Sequence, residues 1–439
     1  MSLPPGPRMP AAVQTFNWIV RPEAFMRESA ARYGEVFTVR LAQIGTLVFV
    51  WNPDELKRIF TADRDVLRAG EANFSLEPVL GQRSVLLLDG AEHLRQRKLM
   101  LPPFHGERLV RYEELMRGIT DRVVDSWALE RPFRLQPSMQ DITLDVILRV
   151  IFGLEESRRT EDVRRLLKHM MAVSTRPWAL LPVMRDDRWP VGPYATFRRA
   201  RQKVDAAIYR LIAERRSDPL LEERDDILSM LMLARDEDGR PMTDVELRDE
   251  LMTLLLAGHE TTATALSWAF ERLFRTPGAL ERLGDERFAD AVVKETLRLR
   301  APIPVVARHV VAPFEVGGYD IPPGAFITPC IFLTHRRPDL YPEPDEFRPE
   351  RFLERPPDTY GWIPFGGGIR RCLGASFAAF EMKVVMQAIA SRAVLEPERP
   401  EGERTRRRAI VLAPGRGTRA VLVERREREP SGPLETAAA

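Results

Sequence analysis

The segment FGGGIRRCLG, Phe365 to Gly374, carries one of the two cysteines in 439 residues out of a glycine-rich turn and into an apolar, helix-forming run. A cysteine at a helix N-terminus meets exposed backbone N–H groups and the positive end of the helix dipole, which favour the thiolate. Arg370 and Arg371 push the same way. The expectation is an ionised Cys372 acting as nucleophile or metal ligand, against the plainer alternative of a buried, inert cysteine. A nucleophile wants a base, and no histidine lies nearby in sequence, although one could come close in space. A zinc site wants about four ligands, and no second cysteine or histidine has the spacing.

A second candidate lies in LMTLLLAGHETTATALSWAF. This run is apolar nearly all round, so a helix here crosses the interior. Its middle nevertheless holds Gly258, Thr261 and Thr262, which are poor helix formers. A buried helix that weakens itself at its centre points to a site.

The elements that must position these residues can be read outward from them. Thr243 and Glu246 form a T-x-x-E capping box, and no proline follows until Pro277. About 32 residues of helix would span roughly 48 Å. From about Pro53 to Arg300 most segments read as helices, and RRSDPLLEERDD reads as a solvated charged connector. Before them, EVFTVRLAQIGTLVFVW is β-rich and interrupted by Gly45, which predicts a hairpin. After Arg300, residues 302–330 read as short strands, residues 336–360 as an irregular proline-rich path, and 374–392 as a helix. β-like sequence continues to Val423. The fold class is mainly α with small β-sheets (α+β), in one domain over 1–425 with a flexible tail over 426–439. Apolar residues make up 44% and charged residues 30%, which excludes a disordered or fibrous chain. A net charge of +2 argues against a dedicated nucleic-acid binder. No apolar run approaches the ~18–20 residues of a membrane span, and the opening MSLPPGPRMP lacks a signal-peptide layout. The reading is a soluble, cytoplasmic monomer.

Phe365, Gly368, Arg370, Cys372 and Gly374 complete the pattern F-x-x-G-x-R-x-C-x-G, which at ordinary residue frequencies arises by chance in fewer than about one chain in 10⁴. In this the sequence resembles the heme-thiolate monooxygenases, the cytochromes P-450. The resemblance spans most of the chain and implies that fold, with the long helix crossing the heme. It implies heme b as cofactor and Cys372 as the axial ligand of its iron, where a thiolate favours O–O cleavage. Phe365 would shield the sulfur, Gly368 and Gly374 would let backbone and heme pass closely, and Arg370 would pair with a propionate.

Other motifs of the family occur in order. AGHETT matches A-G-x-[DE]-T-[TS], which would set Ala257 and Gly258 against the distal face of the heme. Glu260 and Thr261 would be the catalytic acid–alcohol pair that holds a water and relays protons; the alternative is a threonine bonded back to its own helix beside a solvated glutamate. His93 and Arg97, one helical turn apart, and Arg308 match propionate-binding positions. Glu295 and Arg298 match E-x-x-R, with Arg351 as their structural partner. Positions implied to face substrate are Leu86, Leu87, Met252, Leu256, Ile303, Val305, Val306, Ile410 and Val411. They suit an apolar molecule such as a terpenoid, fatty acid or steroid. Dioxygen would be the co-substrate. Electrons would come from a ferredoxin or flavodoxin with its reductase, docking on a basic patch of Arg95, Lys98 and Arg371. The rival functions are a peroxide-driven heme-thiolate catalyst and a heme-based binding or sensor protein.

Overall fold

The expected capping box forms: Glu246 N–H donates to the Thr243 hydroxyl at 3.2 Å and Thr243 N–H to Glu246 Oε2 at 2.7 Å. The helix behind it runs Asp244–Leu273, 30 residues or roughly 45 Å. This computed structural model describes residues 3–104, 108–155, 157–174 and 192–427.

The long helix packs most extensively against Leu135–Phe152. Both enter one apolar cluster that also takes in the helices Glu286–Leu299 and Ala375–Arg392. Gly153, at φ +60°, ends the Leu135–Phe152 helix in the left-handed conformation that favours glycine. The expected hairpin is present as Val36–Leu41 against Gly45–Val50. It opens a five-stranded sheet whose further members, in spatial order, are Phe326–Pro329, Arg308–Val310 and Leu67–Arg68.

Three smaller sheets complete the β structure. Pro132–Arg134, Arg419–Arg425 and Ala393–Pro397 form one. Phe314–Val316 pairs with Tyr319–Ile321, and Thr405–Arg408 pairs with Val411–Pro414. The last hairpin is fastened to the long helix by Trp268 Nε1, which donates to Leu412 O at 2.8 Å.

Three readings change. Leu67–Arg68 is a strand inside a stretch read as helical, too short to show alternation, whereas the strand Pro132–Arg134 falls in a break between Pro132 and Pro137. The last strand continues to Arg425, past Val423; the tail expected from 426 lies, from residue 428 on, outside the described residues. The ends of the charged connector are buried: Arg215 pairs with Asp226 and donates to Phe152 O at 2.8 Å. Among the described residues no helix is long and apolar enough to cross a membrane.

Candidate active site

A cavity of about 440 Å³ lies where the long helix, the helix Gly90–Met100, the cysteine loop and the turn after Arg408 converge. The loop brings Cys372 into its lining. Cys372 N–H donates to Phe365 O at 3.0 Å, closing the loop behind the sulfur. Gly374 N–H is hydrogen-bonded to the sulfur and favours its ionised form. Burial nevertheless raises the thiol pKa, against Gly374 N–H, Arg371 and Arg97. The side chain itself is exposed to the cavity, so its ionisation depends on what occupies that space. A sulfur exposed at the cavity wall is placed to ligate a metal that enters the cavity, and a cation there would favour its ionised form. Among the described residues no three His, Cys, Asp or Glu side chains gather to hold an ion. A metal at Cys372 must bring most of its own ligands.

Gly368 makes a close passage with another segment of the chain. At φ +62°, a Cβ there would lie 2.0 Å from Phe60 O, so the close passage is with the helix Pro53–Thr61. Gly374 does border the cavity, and a Cβ on it would meet nothing within 4 Å.

Three basic groups, His93, Arg97 and Arg370, line the cavity, with a fourth, Arg308, near His93 and Arg370. His93 is buried, its Nδ1 has no hydrogen-bond partner, and burial with Arg370 nearby lowers its pKa to about 3. Arg97 lines the cavity, and its guanidinium forms no ion pair with a described carboxylate. Arg308 is buried just behind the lining, donates only to Ala307 O at 2.9 Å, and has its pKa lowered to about 10 by burial. Arg370 is already engaged. It pairs with Asp89 and donates to Val85 O at 3.1 Å and Leu88 O at 2.5 Å. Three of the four are thus cations or donors without an anion, an arrangement that is costly in a protein interior unless an acid is supplied from outside. A porphyrin has the matching chemistry: two carboxylates for these groups and a metal for the sulfur.

On the long helix, Ala257, Gly258, Glu260 and Thr261 line the cavity. The Thr261 hydroxyl donates to Ala257 O at 2.5 Å, the back-bonded geometry weighed above. Glu260 is buried rather than solvated. Gln140 Nε2 donates to its Oε2 at 2.7 Å, and burial raises its pKa against the opposing charge of Arg408.

Glu295 and Arg298 are fully buried and bidentate, at 2.7 and 2.8 Å. Arg351 joins them at 3.1 Å, and Arg298 donates to His335 O, Pro344 O and Glu346 O, tying down the irregular path. His335 was not foreseen. Its Nδ1 donates to Arg298 O at 3.0 Å and its Nε2 accepts from Ile363 N–H at 2.8 Å, which connects this network to the start of the cysteine loop. Asp89, Gln140, Arg408 and Glu381 were missed as well; each meets its site only through the fold.

Of the positions expected to face substrate, Leu86, Leu256, Ile303, Val306, Ile410 and Val411 line the cavity. Leu87, Met252 and Val305 do not. Met252 lies about 180° around the helix from Thr261 and is core. Val305 packs on the cluster beneath the first hairpin, and Leu87 turns its carbonyl toward Gly70. The basic patch is also largely cancelled: Arg95 pairs with Asp236 and Glu246 and Lys98 with Glu237, leaving Arg371 exposed.

The family model described as Cytochrome P450 matches residues 4–418. A Mycobacterium tuberculosis protein designated cytochrome P450 135B1 is 40% identical over 432 residues, 95% of this chain and 91% of its own. Another, designated cytochrome P450 137, is 39% identical over 420 residues, 93% and 87% of the two chains. The solved structure of retinoic acid-bound cyanobacterial CYP120A1 superposes with a TM-score of 0.83 at 25% identity, covering 96% of this chain and 99% of that one. Thermus CYP175A1 gives 0.75 at 25% identity, covering 92% and 95%.

Proposed function

The chain belongs to the cytochrome P450 family of heme-thiolate monooxygenases, and on that premise we propose that it inserts one atom of dioxygen into an apolar small molecule, with Cys372 as thiolate ligand of a heme b in the 440 Å³ cavity. The observation that carries the reading is the convergence of His93, Arg97 and Arg308, buried or half-buried and without carboxylate partners, near a cysteine whose side chain is exposed to the cavity. His93, Arg97 and Arg308 would hold the propionates. Arg370, already fixed by Asp89, would add positive charge beside them. Ala257 and Gly258 would flank the distal face, with Phe365 and Gly374 on the proximal side. The bound heme supplies dioxygen activation, which electron donation from the thiolate favours.

The residues of the chain supply water and protons. Thr261, its own proton committed to Ala257 O, keeps acceptor lone pairs with which to fix a water at the cavity edge. Glu260, whose pKa burial raises, would carry a proton on its carboxyl and pass it to that water. This acid–alcohol pair favours the oxygen-dependent reaction over a peroxide-driven one or a sensor, neither of which needs it.

Leu86, Leu256, Ile303, Val306, Ile410 and Val411 support an apolar substrate of terpenoid, fatty-acid or steroid type. The retinoic acid bound by the cyanobacterial structure supports an isoprenoid in particular. A ferredoxin or flavodoxin with its reductase would deliver electrons on the Arg371 side. The test is purified enzyme with a surrogate ferredoxin, its reductase and an apolar ligand library. Substrate-dependent NADPH and oxygen consumption matched by hydroxylated product is the expected result; product with peroxide alone and none with NADPH would contradict it.

A further inference from the structure

Residues 80–89 form a wall of the cavity, to which Leu80, Val85 and Leu86 contribute side chains. The long helix grips this wall at successive points. Arg248 Nη1 donates to Leu80 O at 2.8 Å, and Asp249 Oδ2 accepts from Arg83 N–H at 2.8 Å. The Thr253 hydroxyl donates to Asp249 O at 2.7 Å and so accepts from Ser84 Oγ, also at 2.7 Å. Between them Glu250, fully buried, accepts from Val85 N–H at 2.8 Å through Oε1. Its Oε2 has no partner. The other face of the same residue is also engaged: Val85 O accepts from Arg370 Nη1 at 3.1 Å, two residues before Cys372. Val85 therefore joins the long helix to the cysteine loop, with Glu250 on one side and Arg370 on the other.

We propose that Glu250 is a positioning residue that, by holding Val85 N–H, sets the shape of the substrate wall at Val85–Leu86 and the placement of Arg370 beside Cys372. The proposal rests on reading the cavity as the heme and substrate site. An aliphatic side chain at 250 would avoid leaving a buried Oε2 unpartnered, so the one hydrogen bond to Val85 is what the carboxyl contributes. Burial, with Asp249 and Glu246 near, pushes this carboxyl well above its ordinary range. Burial thus favours the neutral acid, for which glutamine is a close mimic.

The experiment compares wild type, E250Q and E250L as heme-loaded protein. Azole binding is followed by the Soret shift with two probes, imidazole as the small one and econazole as the bulky one. E250L is expected to weaken econazole about tenfold while changing imidazole less than about twofold, because the wall and not the iron is disturbed. E250Q keeps the acceptor and should stay within about twofold of wild type for both. Hydrogen exchange at the Val85 amide should rise in E250L and not in E250Q. Equal weakening of both azoles, unchanged econazole binding, E250Q behaving as E250L, or unaltered Val85 exchange would each overturn the proposal. Should E250L not fold, E250D retracts the carboxyl by one methylene and must give the same pattern. A wild type that takes up no heme and shows no Soret band would refute the heme reading, and the amide exchange would still decide the role of Glu250.

Discussion

Gln140 holds Oε2 of Glu260 at 2.7 Å, while Oε1 has only the Arg408 Nε at 3.4 Å and makes no hydrogen bond. The carboxyl is anchored at one oxygen and buried without a hydrogen-bond partner at the other, beside Thr261 in the cavity lining. That is the geometry of a group that can take a proton at one site without losing its place.

The first prediction follows from it. E260Q keeps the Gln140 contact and removes proton exchange, so product formation should fall by roughly 10²-fold or more, with substrate affinity unchanged. T261A should leave the water unfixed, so oxygen consumption continues while product per oxygen falls; T261S should recover most of the yield. Oxygen electrode traces with product quantitation read both. Full coupling in T261A would remove Thr261 from the mechanism.

His93 and Arg97 give the second. Each charge-assisted hydrogen bond lost costs roughly 1.5–3 kcal/mol, which is about ten- to hundredfold in affinity. H93A and R97A should each release heme to apomyoglobin faster by about that factor, with the double variant faster still. Release at the wild-type rate would mean that these side chains touch no propionate.

Much of this site was legible before the fold was known, and the residues show why. The cysteine loop and the Thr243 capping box are local patterns, complete within ten residues or fewer, and local patterns survive in sequence. The partners that tune them are distant. Asp89 lies 281 residues from Arg370, Gln140 lies 120 from Glu260, and Val85 lies 165 from Glu250. No spacing rule reaches that far. The surroundings of Cys372 divide the same way: the arginines beside it are visible in sequence, and the cavity that its side chain faces is assembled by the fold. Met252 shows the limit on a helix, where apolar character says buried but not on which side.

Glu381 carries the third prediction. It borders the cavity from the cysteine helix, fully buried with Oε1 unpartnered, and burial raises its pKa from 4.5 to about 8. Below about pH 4.5 both folded and unfolded chains hold this proton and the group costs nothing. As pH rises toward 8 the unfolded chain releases it first, so stability is lost across that window. E381Q should flatten this part of the profile and gain most over wild type near pH 8. Denaturant midpoints measured from pH 5 to 8.5 test it; parallel profiles for the two proteins would refute the raised pKa.

The central claim is the bond between the Cys372 sulfur and the iron, and the reduced carbon-monoxide spectrum reads it most directly. The wild-type chain should show a Soret band strongly red-shifted from that of a histidine-ligated heme, and C372S should bind less heme and lack that band. A wild type without the red-shifted band, or a C372S variant that retains it, would contradict the account.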